Sequence, residues 1–220
     1  MGQAIAEVCA DRDDVSIVDD KCDVFVDFSA PGGLEEHLES AVAAGKPIVI
    51  GTTGLDGSHQ KMIDEAATKI AVLQAANMSL GVNLLAHLVR QTAERLGQDW
   101  DIEIVEMHHR HKADAPSGTA LLLGNAAAEG RKVELGLVSD RGRDGMTGPR
   151  KEGQIGFAAL RGGSVAGDHQ VIFAGEGERI ELGHRAESRA IFARGAVEAA
   201  IWITDKPAGR HSMNDVLGLT

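Results

Sequence analysis

Apolar and polar positions along the chain follow two different periods, and the switches between them outline the elements. Gly2 to Ala10 has helical spacing and reads as a short helix already under way, and Val15 to Val18 is a brief apolar run. Cys22 to Phe28 reads as a buried strand leading into Ser29-Ala-Pro-Gly-Gly33, with Leu34 to Ala44 as the next helix, closed by Gly45. Pro47 to Ile50 is a second buried strand. It ends in Gly51-Thr52-Thr53-Gly54, after which Ser58 to Lys69 is helical and Ile70 to Gln74 is a third strand. Such strand–loop–helix repeats predict a doubly wound parallel sheet, whose ligands bind beyond the carboxyl ends of the strands.

From Met78 the pattern changes. Ser79 to Leu96 is a long amphipathic helix ended by Gly97, and Asp101 to His108 alternates polar and apolar residues as a strand does. Thr119 to Glu129, rich in Ala and Leu, is a helix, and Gly136 to Gly153, dense in Gly, Arg and Asp, is a loop. Gln154 to Leu160, Asp168 to Phe173 and Arg179 to His184 are successive strands with turn signals between them, which predicts an antiparallel or mixed sheet. Ser188 to Thr204 is a closing helix.

Composition narrows the classes. A formal net charge of −11 argues against a nucleic-acid surface, since phosphate binding needs a basic face. No apolar run approaches the ~20 residues of a membrane-spanning helix. The amino terminus carries no signal-peptide pattern, and two cysteines, Cys9 and Cys22, are too few for a disulfide framework, so the expected compartment is the cytoplasm.

One stretch runs against the acidity: His108, His109, Arg110, His111 and Lys112, then Asp114-Ala-Pro-Ser-Gly-Thr-Ala120. It lies between a predicted strand and a predicted helix. A helix opening at Ser117-Gly118-Thr119 directs backbone N–H groups and the positive end of its dipole outward, so loop and helix start together suit an anion. Histidine titrates near neutrality, and a lysine can donate a proton, so the same pocket can also deliver protons.

The run from Glu103 to Ala120 closely resembles the signature of the dihydrodipicolinate reductases, and the likeness extends over nearly the whole chain. It implies a Rossmann-like doubly wound domain from residues 1–79 and 188–220, plus an α+β substrate and oligomerisation domain with a mixed sheet from residues 80–187. It also implies NADH- or NADPH-dependent reduction of 4-hydroxy-tetrahydrodipicolinate, a small dicarboxylate, on the diaminopimelate route to lysine. By the same resemblance His108 is the proton donor or acceptor, Lys112 the second proton donor and His109 a substrate contact. Gly118 and Thr119 bind a substrate carboxylate. Gly51, Thr52 and Thr53 form a cofactor loop, Ala75, Ala76, Asn77 and Met78 lie against the nicotinamide, and the second domain's sheet assembles a homotetramer.

The resemblance departs at the amino end. The family begins with a strand and a Gly-x-x-Gly-Arg-Met-Gly loop, of which only Met1-Gly2 stands here. After Val18, Asp19-Asp20-Lys21 leads almost directly into the next strand, where an acidic residue would bond the ribose of NADH and a basic one would receive the extra phosphate of NADPH. The preference between the two is therefore not legible.

Plainer readings stand beside these. His109 and His111, with His108, have a spacing that can hold zinc, but no Cys or carboxylate completes a usual set, and Arg110 and Lys112 repel a cation, so no metal is expected. Arg110 and His111 read as solvated loop residues. Glu103 and Glu106 read as strand residues that orient the cluster rather than as general bases, and Ser117 as a helix cap. His184, on a strand of the second domain, is placed to approach a ligand. Two rivals remain: another two-domain NAD(P)-dependent dehydrogenase, which would lack the His-His-x-His-Lys and Pro-Ser-Gly-Thr series, and a non-catalytic or cofactor-impaired homologue.

Overall fold

The computed structural model describes residues 1–19 and 21–219. Asp20, part of the segment considered for cofactor preference, and the terminal Thr220 lie outside the described residues. In chain order the elements are α1 (Gly2–Ala10), β1 (Phe25–Asp27), α2 (Leu34–Ala44), β2 (Ile48–Ile50), α3 (Gly57–Ala67), β3 (Ala71–Gln74), α4 (Leu80–Leu96), β4 (Asp101–His108) and α5 (Gly118–Gly130). They continue with α6 (Leu135–Val138), β5 (Ser139–Asp140), β6 (Ile155–Arg161), β7 (Gly167–Gly175), β8 (Glu178–Ala186), α7 (Ala190–Ile203), β9 (Gly209–His211) and α8 (Met213–Val216). The contacts divide into two compact units, Met1–Asn83 with Ala190–Thr220, and Leu84–Arg189.

The first unit is a parallel sheet in the order β1-β2-β3-β9 with helices on both faces. Side chains of a strand alternate between faces, and Ile48-Val49-Ile50 divides accordingly. Ile48 and Ile50 pack with Leu34, Leu38 and Ala41 of α2 and Ile63 of α3, while Val49 faces Ala196, Ala199 and Ile203 of α7. All three β2 residues are fully buried, as continuous apolar runs in parallel strands are. Gly45 adopts φ 62° at the end of α2, a left-handed cap that glycine accepts without steric cost. Asp56 caps α3 by accepting from the Ser58 and His59 backbone amides.

The second unit is a mixed sheet in the order β5-β6-β4-β7-β8, with β4 parallel to β6 and antiparallel to β7. Its inner face buries Ile102, Ile104, Phe157, Val171 and Phe173 against Leu85, Val89 and Ala93 of α4 and Leu123 and Ala127 of α5. The strict burial alternation of β4 puts Glu106 and His108 on that inner face and Glu103, Val105 and Met107 on the outer one.

The structure corrects several expectations. The strand expected over residues 22–28 is shorter, because Phe25 to Asp27 have only the three residues of β2 to pair with. Val15 to Val18 form neither helix nor strand. The expected loop over residues 136–153 opens on α6, whose Leu135 enters the core, and on β5, which pairs parallel with β6. Beyond residue 204, where no element was expected, β9 pairs with β3, and Ser212 with Asp215 forms a capping box that starts α8.

Candidate active site

The site in the second unit grows from the end of β4. There the inner-face alternation buries a carboxylate, Glu106, two residues before an imidazole, His108; they are 1% and 8% exposed. A buried charge needs partners, and Glu106 has one for each direction. Its Oε2 lies 2.6 Å from His108 Nδ1 and accepts from Arg161 Nη1 at 2.8 Å; its Oε1 accepts from Arg161 Nη2 at 2.8 Å and from the Ser117 backbone amide at 3.1 Å. Arg161, last residue of β6, reaches across as a bidentate fork and also donates to the Asp114 carbonyl at 2.7 Å. Burial pushes the Glu106 carboxyl upward, but hydrogen bonds from Arg161 and His108 outweigh it and hold the group below the usual carboxylate range.

The next strand adds a second buried imidazole. His169 on β7 meets His108 edge-on with ring centroids 5.0 Å apart, and its Nε2 is 2.9 Å from Ser117 Oγ, which also accepts from the Ala120 amide and so caps α5. Burial first, then repulsion from His108, pushes His169 down to about 4, so it is neutral at pH 7. Among the described residues its buried Nδ1 has no hydrogen-bond partner, and neither has Nδ1 of His184, directly across on β8. Burial also lowers His184, against the pull of Asp168.

The loop after His108 carries the remaining residues singled out in the sequence. His109 donates its backbone N–H to the Val165 carbonyl at 2.8 Å and is half-buried, while Arg110 and His111 are exposed. Lys112 pairs with Asp114 at 2.8 Å, which lowers the Asp114 carboxyl. Gly118 and Thr119 form the first turn of α5, Gly118 exposed and Thr119 half-buried. One structure-bearing frame, Glu106 with Arg161 and Ser117, thus holds the histidine strand, the lysine loop and the helix start together. Glu103 has no part in it. Three residues from Glu106, it falls on the outer face and bonds Arg143 and Arg150, so of the two glutamates only Glu106 orients the cluster. Arg161 and His169 were not found from the sequence, because strand register alone brings them here; the opposite faces of Glu103 and Glu106 were legible from period two.

The remaining predicted residues lie at the carboxyl edge of the parallel sheet in the first unit. Gly51 donates to the Asp27 carbonyl at 2.8 Å, and Thr52 Oγ1 donates to the buried Asp27 carboxylate at 3.1 Å. A Cβ at Gly51 would stand 2.1 Å from the Phe28 ring, so only glycine fits. Thr53 and Ala76 are exposed, Ala75 and Asn77 half-buried and Met78 buried. Asn77 Oδ1 accepts from the Ser79 amide at 2.9 Å, which bends the chain into α4.

A parallel sheet with an open carboxyl edge, and a second sheet carrying a buried acid–base dyad beside a helix start, define a two-unit α/β enzyme. Comparison with known proteins gives the class its family. The model of the dihydrodipicolinate reductase N-terminus matches residues 1–78 and that of the C-terminus residues 81–217. The 4-hydroxy-tetrahydrodipicolinate reductase of Zymomonas mobilis is 64% identical over 90% of this chain and 78% of that protein, and the one from Parvibaculum lavamentivorans is 58% identical over 96% of this chain and 78% of that protein. Among solved structures, a dipicolinate-bound dihydrodipicolinate reductase from Paenisporosarcina sp. TG-14 superposes with a TM-score of 0.70 at 28% identity, over 86% of this chain and 71% of that one. The chain belongs to the dihydrodipicolinate reductase family of oxidoreductases.

Proposed function

We propose that the protein reduces 4-hydroxy-tetrahydrodipicolinate to tetrahydrodipicolinate with NADH or NADPH, on the diaminopimelate route to lysine. The observation that carries this reading is the buried Glu106–His108 dyad set beside Lys112 and the first turn of α5, in a chain whose curated relatives have this activity in their names. Residues 1–79 and 188–220 form the cofactor domain, and residues 80–187 the substrate and oligomerisation domain.

Gly118 and Thr119 at the start of α5 bind one carboxylate of the substrate through N–H donors and the helix dipole, and Lys112 and His109 supply charge and contact. The dipicolinate-bound reductase among the solved relatives supports a small dicarboxylate as the ligand. His108 and Lys112 supply the proton that balances the step: hydride and proton are taken up and the 4-hydroxyl leaves as water, so no anion is stranded on the ring. The reduced nicotinamide supplies the hydride. Its pocket is the carboxyl edge formed by Gly51, Thr52, Thr53, Ala75, Ala76, Asn77 and Met78, the end of a parallel sheet at which ligands of this fold class bind.

The cytoplasm is the compartment that fits two free cysteines, Cys9 and Cys22. Among the described residues no helix is long and apolar enough to cross a membrane. A homotetramer forms through the outer face of the mixed sheet, where Val105, Met107, Ala158, Leu160 and Ile172 make an apolar strip. The test of the activity is loss of reduced-nicotinamide absorbance on addition of freshly generated substrate. Folded protein that binds NADH or NADPH yet oxidises neither in the presence of substrate overturns the reading.

A further inference from the structure

We propose that Glu106 is a positioning residue for the reaction: its carboxylate accepts a hydrogen bond from His108 Nδ1–H, so that the imidazole offers only Nε2 to the substrate, while Arg161 fixes the carboxylate in place. This rests on the reading of His108 as a proton carrier. Glu106 is ionised, held so by the Arg161 fork, and an ionised carboxylate only accepts. At 2.6 Å from it, His108 Nδ1 must be a donor in both the neutral and the charged ring. The proton that comes and goes is therefore the one on Nε2. That atom faces Gly167 at the start of β7, where an added Cβ would stand 3.0 Å away, so the absent side chain keeps the approach to Nε2 open.

The groups facing His108 are accounted for from each neighbouring element. Glu106 lies on its own strand, Arg161 comes from β6 and His169 from β7, with His184 behind it. Lys112 and Asp114, from the following loop, are paired with each other. Because His169 stays neutral, the carboxylate of Glu106 is what decides which ring nitrogen of His108 keeps its proton. A merely structural brace would hold the strand and loop without that signature.

The test is nuclear magnetic resonance of the full chain with 15N-labelled histidine, the His108 signals assigned by their loss in His108→Gln, combined with the pH dependence of turnover. Neutral His108 is expected with its proton on Nδ1. Glu106→Gln, whose amide can donate as well as accept, is expected to admit the neutral tautomer protonated on Nε2, to change the pH dependence of kcat, and to lower kcat by about 10- to 100-fold. A neutral wild-type ring protonated on Nε2 overturns the proposal without any variant, and so does a folded Glu106→Gln protein with the wild-type tautomer and the wild-type kcat profile. The imidazole signals are read whether or not substrate is turned over, so failure of the proposal is distinct from failure of the reductase reading.

Discussion

His169 is neutral where it lies, and that neutrality makes the second unit sensitive to acid. An unfolded histidine titrates near 6.5, whereas the folded His169 does so at about 4. Below pH 6.5 the unfolded chain takes up a proton that the folded one refuses, so stability falls as pH drops through that window and is fully present above it. The difference amounts to about 2–3 kcal/mol by pH 4. Urea unfolding at pH 7 and pH 4.5 is expected to show most of this loss in the wild type and much less in His169→Gln. Glu106 acts at lower pH: its depressed carboxyl contributes stability above the unfolded value near 4.5 that is lost as pH falls through the folded one. At the same scale, His108→Gln and Lys112→Met are expected to lower kcat by about 10²–10⁴ with little change in cofactor affinity, the range for a positioned acid or base. Turnover at the wild-type rate in both variants would return the cluster to a structural role.

At the scale of elements, one helix in each unit bears on the proposed chemistry. If the first turn of α5 holds a carboxylate as proposed, Thr119→Val deletes one hydrogen bond to a charged group, worth about 1.5–3 kcal/mol, and pyridine-2,6-dicarboxylate is expected to bind roughly 10- to 100-fold more weakly in a calorimetric titration. α7 acts through a missing side chain: a Cβ at Gly195 would stand 1.7 Å from the Met78 carbonyl oxygen, so the segment of residues 75–78 lies directly on this helix. Gly195→Ala has to displace that segment, with a loss of about 1–3 kcal/mol in unfolding free energy and weaker NADH and NADPH binding, read by denaturation and calorimetry. Periodicity disclosed α4, β4 and α5 closely, because their apolar stripes are long and Gly97 and Ser117 punctuate them. It did not disclose β9, a three-residue strand that exists only because β3 offers it an edge, nor the loss of the Val15 to Val18 run, which has no partner strand among the described residues. For the same reason His108 and Lys112 could be named from the signature, whereas Arg161 and His169 depend on which strands lie beside β4, a fact of register rather than of composition.

For the whole molecule, charge and exposed apolar surface pull in opposite directions. A net charge of −11 opposes association through long-range repulsion, yet the outer face of the mixed sheet places Val105 and Met107 on β4 beside Ala158 and Leu160 on β6, with Leu160 50% exposed. If that face assembles the proposed homotetramer, sedimentation of the wild type gives a tetramer that is tighter at higher salt, since added ions screen the repulsion and leave apolar burial untouched. Leu160→Glu then buries an unpaired carboxylate in each interface. Such a group costs several kcal/mol, and about 4 kcal/mol shifts a dissociation constant a thousandfold, so the variant is expected to sediment as a smaller species at micromolar concentration. Its far-ultraviolet circular dichroism should match the wild type, because Leu160 lies outside the buried core. A Leu160→Glu protein that remains tetrameric would place the assembly on another surface.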